Sequence, residues 1–156
     1  MKIHLKKLLI AIGIPLLVGG LSALLTMGSM SSFEEVRKPP LSPPSWLFPV
    51  VWTILFILMG IASYLIVTAE ENTLKLPALV LYGTQLFFNF FWSIIFFNLE
   101  AYLFAFVWLI ILWLLILATI VTFYKISKPA AFLLIPYLLW VTFAGYLNFG
   151  IFLLNR

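Results

Sequence analysis

Apolar residues fill five long runs of this chain, and polar and charged residues collect between the runs. The runs cover about 8–27, 46–68, 77–97, 102–124 and 129–153. Each is long enough to cross about 30 Å of hydrocarbon as a helix that rises about 1.5 Å per residue. Lipid offers the backbone of such segments no hydrogen-bond partner, so they must be helical. The pattern predicts an all-α membrane protein: a five-transmembrane-helix bundle that forms a single domain over residues 1–156.

Composition agrees with this assignment. Of the 156 residues, 65% are hydrophobic and 9% are charged, and the mean hydropathy is +1.20. The charged side chains all lie between the runs or at their ends. The basic residues flank spans and form no continuous stripe, which argues against a nucleic-acid partner. The chain has no cysteine, so disulfides, thiolate metal sites and thiol catalysis are excluded.

The distribution of basic residues predicts the orientation. Five spans place the termini on opposite sides, and the run from Leu8 to Met27 is as long as a span and lacks a clear leader cleavage site. With the N-terminus inside, the inner side holds six of the nine basic residues: Lys2, Lys6, Lys7, Lys75, Lys125 and Lys128. The positive-inside rule therefore predicts a multi-pass membrane protein with its N-terminus inside and its first connection outside.

Residues 28–45 are the one connection long enough to have structure of its own. They contain two proline pairs, Pro39-Pro40 and Pro43-Pro44. Proline fixes its own φ and biases the preceding residue away from the α region. We therefore expect the residues around these four prolines to be extended rather than helical, and we call residues 37–45 the proline strap. The strap is expected to cover one end of the bundle.

Uncharged polar side chains inside the spans are the candidates for function. In the third span, Gln85, Asn89, Trp92 and Ser93 recur at i, i+4, i+7 and i+8, which is one face of a helix. Such amides can tie neighbouring helices together for about 0.6–2 kcal/mol each. They can also bind a ligand. The sequence leaves both roles open.

Three other spans carry faces of the same kind. Together they predict an aromatic-walled, mostly apolar cavity beneath the strap, which suits a large flat apolar ligand. Trp108 and Trp113 of the fourth span lack polar companions and are expected to pack or to face lipid. The three faces are Pro15, Gly19, Ser22 and Thr26 in the first span, Phe48, Trp52 and Phe56 in the second, and Trp140, Phe143, Ala144, Leu147 and Asn148 in the fifth.

A set of ordered motifs resembles one family along nearly the whole chain. The motifs are Lys38-Pro39, Pro43-Pro44, Phe48-Pro49-Val50, Trp52, Met59-Gly60, Gln85, Asn89, Trp92-Ser93, Phe96-Phe97, Pro136-Tyr137, Trp140-Val141, Phe143-Ala144 and Leu147-Asn148. In this combination the chain resembles the TspO/MBR family, which includes bacterial tryptophan-rich sensory proteins and the mitochondrial translocator protein. The resemblance implies a five-helix homodimer in a bacterial membrane that binds porphyrins such as protoporphyrin IX, and also drug-like hydrophobic ligands, without a required cofactor or metal.

The resemblance also implies a site and two alternative activities. Trp52 and Trp140 would be oxidised if the protein promotes light- and oxygen-dependent porphyrin breakdown. Coupled transport is less favoured, because no carboxylate lies within a span. Arg37 and Lys38 are the cations expected to meet ligand carboxylates at the mouth. The implied ligand-binding residues are Ser22, Pro43, Pro44, Trp46, Phe48, Trp52, Phe56, Gln85, Asn89, Trp92, Trp140, Phe143, Ala144, Leu147 and Asn148.

The chain departs from the family pattern at three places. Ser32-Phe33 stands where many members have Trp-Tyr, so a phenol hydroxyl is missing before the strap. Phe56 stands where many have Tyr. After Tyr146 the first basic residue is Arg156, which does not fit the steroid-recognition pattern, so cholesterol binding is not supported.

Overall fold

The computed structural model describes residues 2–156, and its five long apolar helices confirm the predicted all-α architecture. The first span begins with α1 (Leu5–Thr26) and continues through a 3-10 turn (Met27–Ser29) into α2 (Met30–Glu35). The second span is α3 (Leu47–Val67), and the third is α4 (Lys75–Ser93) with a π-helical turn (Ile94–Asn98). The fourth is α5 (Tyr102–Ile126), and the fifth comprises α6 (Lys128–Leu133) and α7 (Ile135–Leu154).

Two boundaries differ from those predicted from the sequence. The first span was predicted to end near residue 27, but helix continues through α2 to Glu35. Extended backbone begins at Val36, whose ψ is 150°, and the prolines of the strap lie outside the helices, as predicted. The fifth span is interrupted at Leu134. Pro136 explains this interruption, because a proline has no N–H for the carbonyl four residues earlier and its ring clashes with it.

The helices form a closed ring in which α1 packs on α3 and α4, α4 packs on α5, and α5 packs on α6 and α7. The ring closes where α6 packs on α3. At the N-terminal end of α1, the backbone N–H of His4 donates to the hydroxyl of Tyr64 near the end of α3, 2.8 Å away. At the opposite end α3 and α7 do not pack closely on each other, which leaves room between them.

The contact of α1 with α3 depends on a proline and a glycine. Pro15 lies inside α1, so the carbonyl of Ala11 lacks its normal helical donor. Gly60 of α3 packs at this point: a Cβ there would lie 2.8 Å from the Ala11 oxygen and 2.4 Å from Cα of Ile12. Real Cβ atoms do not approach backbone so closely. Only glycine allows the two helices to meet at this distance.

A buried hydrogen-bond chain connects α4 to α7. The hydroxyl of Tyr137 donates to Oε1 of Gln85 at 2.6 Å and accepts from Nδ2 of Asn89 at 2.7 Å. Nε2 of Gln85 then approaches the sulfur of Met59 on α3, 3.9 Å away. Tyr137 and Gln85 are each 1% exposed, so water and lipid headgroups cannot replace these bonds. These hydrogen bonds fix α4 against α7, and these two helices carry most of the predicted polar residues.

Asn148 of α7 makes a second pair of bonds nearer the strap. The indole N–H of Trp92, on α4, donates to Oδ1 of Asn148 at 3.1 Å. Nδ2 of Asn148 donates to the carbonyl of Tyr102, the first residue of α5, at 2.8 Å. Asn148 therefore joins α7 to α4 on one side and to α5 on the other.

Replacing Gly60 tests the close contact of α1 with α3. In Gly60→Ala the new methyl group must push the α1 backbone away, and we expect the free energy of unfolding to fall by about 1–3 kcal/mol. Gly83→Ala in α4 is the matched control, because a Cβ there meets nothing within 4 Å; alanine should stabilise this helix by up to about 1 kcal/mol. Reversible unfolding in mixed micelles measures both. Equal stability of the two variants would contradict the packing described.

Replacing Tyr137 tests the buried hydrogen bonds between α4 and α7. Tyr137→Phe leaves the Asn89 donor and the Gln85 acceptor without partners, and we expect a loss of about 1–3 kcal/mol in the free energy of unfolding. Tyr124→Phe removes a hydroxyl from a side chain that is 46% exposed, and should change stability by less than about 0.5 kcal/mol. The same unfolding assay compares them. If Tyr137→Phe is as stable as Tyr124→Phe, the three polar groups do not depend on one another.

Candidate ligand-binding cavity

A cavity of about 600 Å³ lies at the strap end of the bundle, between α1, α3, α4 and α7. Small-molecule sites typically measure about 300–1,000 Å³ and are mostly apolar with a few placed polar groups. Phe33 of α2 and Lys38 and Ser42 of the strap complete its wall. The cavity therefore has the position that the sequence predicted, beneath the strap and beside the polar faces of the third and fifth spans.

Most of the residues that the sequence assigned to a ligand site meet around this cavity. They come from four helices, and their polar members are either hydroxyl, amide or indole groups. Whether they bind a ligand stays a prediction. The residues are Ser22, Phe48, Trp52, Phe56, Asn89, Trp92, Trp140, Ala144, Leu147 and Asn148.

Five of the assigned residues do not line the cavity. They are Pro43, Pro44, Trp46, Gln85 and Phe143. Trp46 precedes α3 and its side chain is 67% exposed. Gln85 lies deeper, where the hydrogen bond from Tyr137 holds it. Phe143 lies with Trp140 in a groove on the outer surface between α3 and α7. Sequence spacing grouped these residues correctly by helix, but it could not give the rotation of each side chain relative to the cavity.

The cavity wall is built from packed aromatic rings. Trp52 stacks on Phe56 with ring centroids 5.6 Å apart and planes 28° apart. Trp92 stacks on Phe96 at 5.0 Å and 24°. Phe48 meets Trp140 edge to face at 5.9 Å. These pairs hold large flat surfaces in fixed orientations, and such surfaces bind the face of another π-system.

The segment between α1 and the strap contributes to the cavity, although none of its residues was assigned to the ligand site from the sequence. Met27, Met30 and Phe33 line the cavity, because helix continues beyond residue 27, where the first span was predicted to end. Phe33 packs on Phe48 at 6.4 Å, on Phe96 at 5.9 Å and on Phe97 at 5.1 Å. The apolar spacing of Met27, Met30 and Phe33 at three-residue intervals was the signal that could have identified them.

Side chains of α7 hold the proline strap in place. Asn155 accepts from the backbone N–H of Arg37 at 3.0 Å and donates to its carbonyl at 2.8 Å. The hydroxyl of Tyr146 donates to the carbonyl of Pro40 at 2.7 Å. The ring of Pro39 fills the space above Gly150, where a Cβ would lie 2.6 Å from it. The strap is therefore a fixed cover rather than a flexible linker.

The strap contains one unusual backbone conformation. Leu41 has a φ of 71°, and its side chain is 83% exposed. A bulky residue in the left-handed region is strained and persists only where its surroundings determine it. The hydroxyl of Ser42 donates to the carbonyl of Pro39 at 2.8 Å and closes the turn around Leu41.

Lys38 lines the cavity, but its ammonium group is bound to backbone. Its Nζ lies 2.9 Å from the carbonyl oxygen of Phe33 and 4.6 Å from the centre of the same residue's ring. Two further carbonyls, those of Glu34 and Val36, lie at 3.3 and 3.4 Å. The cation thus closes the C-terminal end of α2, where unpaired carbonyls favour positive charge.

Trp108, Trp113 and Trp140 differ in how their N–H groups are satisfied. Trp108 donates to the carbonyl of Phe88 at 2.7 Å and stacks on that ring at 4.3 Å. Trp113 donates to Thr142 at 2.8 Å. Both have polar partners on neighbouring helices, which the fourth span's own sequence could not reveal. The indole N–H of Trp140 is buried with no partner within residues 2–156.

Comparison with known proteins agrees with this architecture. The model of the TspO/MBR family matches residues 11–154. The tryptophan-rich protein TspO of Chlorobaculum tepidum is 42% identical over 151 residues, which cover 95% of each chain. The protein CrtK of Rhodobacter capsulatus is 38% identical over 79% of this chain and 78% of its own. The translocator protein of Bos taurus is 36% identical over 87% of this chain and 82% of its own.

The match to the family model spans all five helices and the strap between the first two. The relatives in bacteria and in cattle are each more than 30% identical over more than two thirds of this chain. With five membrane-spanning helices around one cavity, the chain is a multi-pass membrane protein and belongs to the TspO/MBR family.

Proposed function

We propose that this protein binds and senses a large, flat, mostly apolar ligand of the tetrapyrrole type, such as protoporphyrin IX, in the cavity beneath the strap. The observation that carries the proposal is the arrangement of the cavity wall. Trp52, Trp92, Phe48 and Trp140 each present a ring to one apolar space, and a fixed strap covers it. Other flat hydrophobic molecules of drug size fit the same description.

The size and the boundaries of the cavity support this ligand class. A volume of about 600 Å³ lies in the usual range for sites that bury most of a drug-sized ligand. The wall is rigid, since Asn148 and Tyr137 tie α4 to α7 on either side of it. A rigid wall lowers the entropic cost of binding a rigid ligand.

The relatives' names agree with a ligand-directed role without specifying the ligand. One relative is a tryptophan-rich sensory protein of Cereibacter sphaeroides, and others are translocator proteins of mammals. For this chain we favour binding and sensing over coupled transport, because the cavity wall contains no carboxylate within residues 2–156. Light-driven porphyrin breakdown is the alternative activity. It would use the same cavity, in which a bound ring would contact Trp52 and Trp140.

We further propose that the protein is a homodimer in a bacterial plasma membrane with its N-terminus inside. Lys2, Lys6 and Lys7 precede α1, and Lys75, Lys125 and Lys128 lie at the same end of the bundle by the alternation of spans. The positive-inside rule assigns this end to the cytoplasm. The strap and the cavity then lie on the outer side.

Filling the cavity tests the binding proposal. Ala144 of α7 lines the cavity and is 9% exposed. In Ala144→Phe the new ring occupies space that a ligand needs, and we expect the affinity for protoporphyrin IX to fall at least about tenfold. The cavity can accept the ring, so the variant should still fold. Saturable quenching of tryptophan fluorescence during titration with protoporphyrin IX measures the affinity.

Leu139→Phe is the matched control for this experiment. Leu139 is on the same helix but is 65% exposed toward the membrane, and the variant should bind as the unmodified protein does. Thermal unfolding of both variants in the same detergent checks that each is folded. Unchanged affinity in folded Ala144→Phe would show that α7 does not line the ligand site. An absence of saturable quenching in the unmodified protein would refute the proposed function.

A further inference from the structure

The residues that line the cavity determine whether a ligand can place a charged group inside it. Among the lining residues within 2–156, Lys38 alone has a charged side chain. The other polar lining groups are uncharged hydroxyls, amides and indoles. A carboxylate that leaves water is normally paired with a cation, because burying an unpaired charge costs far more than burying a neutral polar group. The availability of Lys38 therefore decides whether a charged group can be buried here.

The ammonium group of Lys38 is already hydrogen-bonded within the protein. Its ammonium has three N–H groups, and three carbonyl oxygens at the end of α2 lie 2.9, 3.3 and 3.4 Å from Nζ. The ring of Phe33 lies against the same cation at 4.6 Å. A ligand carboxylate could recruit the ammonium only by leaving these carbonyls without a donor. It would also release Phe33, which is part of the cavity wall.

The other donors of the wall are neutral. Asn89 and Asn148 each use one amide N–H in the bonds that hold them. The indoles of Trp52 and Trp140 and the hydroxyl of Ser22 also line the cavity, and the N–H of Trp140 is buried without a partner in the described part of the chain. Such neutral donors suit a neutral acceptor such as a carbonyl group, but none of them supplies the positive charge that normally pairs with a buried carboxylate.

We infer that the cavity admits its ligand with uncharged groups only. A flat apolar ring system is buried, and any carboxylate stays outside in the water near the exposed side chain of Arg37. This inference rests on the proposed function, because it specifies the charge of the ligand in the same site. It also revises the expectation that Lys38 binds ligand carboxylates.

Protoporphyrin IX and its dimethyl ester form the decisive pair of probes. They share the ring and differ in two carboxylates. The protein in lipid nanodiscs is titrated with each, and partition into empty nanodiscs is subtracted. Because the carboxylates gain no partner in the cavity, we expect the Kd of the ester to be no more than about threefold above that of the diacid. A larger advantage of the diacid overturns the inference.

A substitution of Lys38 separates its two possible roles. Lys38→Met retains the apolar stem but removes the donor that closes α2, so Phe33 loses support, and we expect both probes to bind more weakly by the same factor. Lys75→Met is the matched control: Lys75 also bonds a helix-terminal carbonyl, that of Ala69 at 2.8 Å, at the other end of the bundle, and its loss should affect neither affinity. If Lys38→Met weakens the diacid alone, the lysine binds carboxylates and the inference is wrong.

A second pair of probes distinguishes failure of this inference from failure of the proposed function. If neither porphyrin binds, the tetrapyrrole proposal is refuted, and pyrene carboxylic acid and its methyl ester then test the charge rule alone. A Kd of the pyrene ester no more than about threefold above that of the acid supports the rule. A larger advantage of the acid, or no binding of either compound, overturns it.

Discussion

Two amide side chains lie deep in the third span because one phenol hydroxyl bonds to both. Tyr137 donates to Gln85 and accepts from Asn89, and in a membrane neither amide could turn to water instead. The bonds require α7 at one height and one rotation relative to α4. That placement brings the ring of Tyr137 against the edge of Trp52, 6.1 Å away. The floor and one wall of the cavity follow from this single constraint.

Different contacts organise the strap end of the bundle. Here α3 and α7 make few close contacts, one of which is Phe48 against Trp140, and Phe33 and the strap line the cavity beside them. Asn155 binds both backbone groups of Arg37, and Lys38 binds the carbonyls that end α2. These polar groups hold the cover in place. The cavity beneath it is mostly apolar, and its one charged lining side chain within residues 2–156, Lys38, is bonded to backbone.

The helices and the predicted polar faces could be derived from the sequence because they depend on local spacing and on hydropathy. What could not be derived depends on contacts between distant residues. The role of Tyr137 requires knowing that it meets the third span, and the orientation of Trp46 and Phe143 requires the rotation of α3 and α7. The continuation of helix to Glu35 was missed because the first span was ended with its apolar run near residue 27, whereas α2 contains two serines and two glutamates that hydropathy does not assign to a span.

The central claim is that a flat apolar ligand is bound inside the bundle and not on its lipid-facing surface. Photolabelling with a diazirine-bearing porphyrin ester, followed by mapping of the modified residues by mass spectrometry, measures this directly. The account predicts labels on cavity residues such as Trp52 and Ala144, which an excess of protoporphyrin IX dimethyl ester removes. Labels confined to exposed positions of α5 such as Ile110 and Leu114, and insensitive to that competitor, would contradict it.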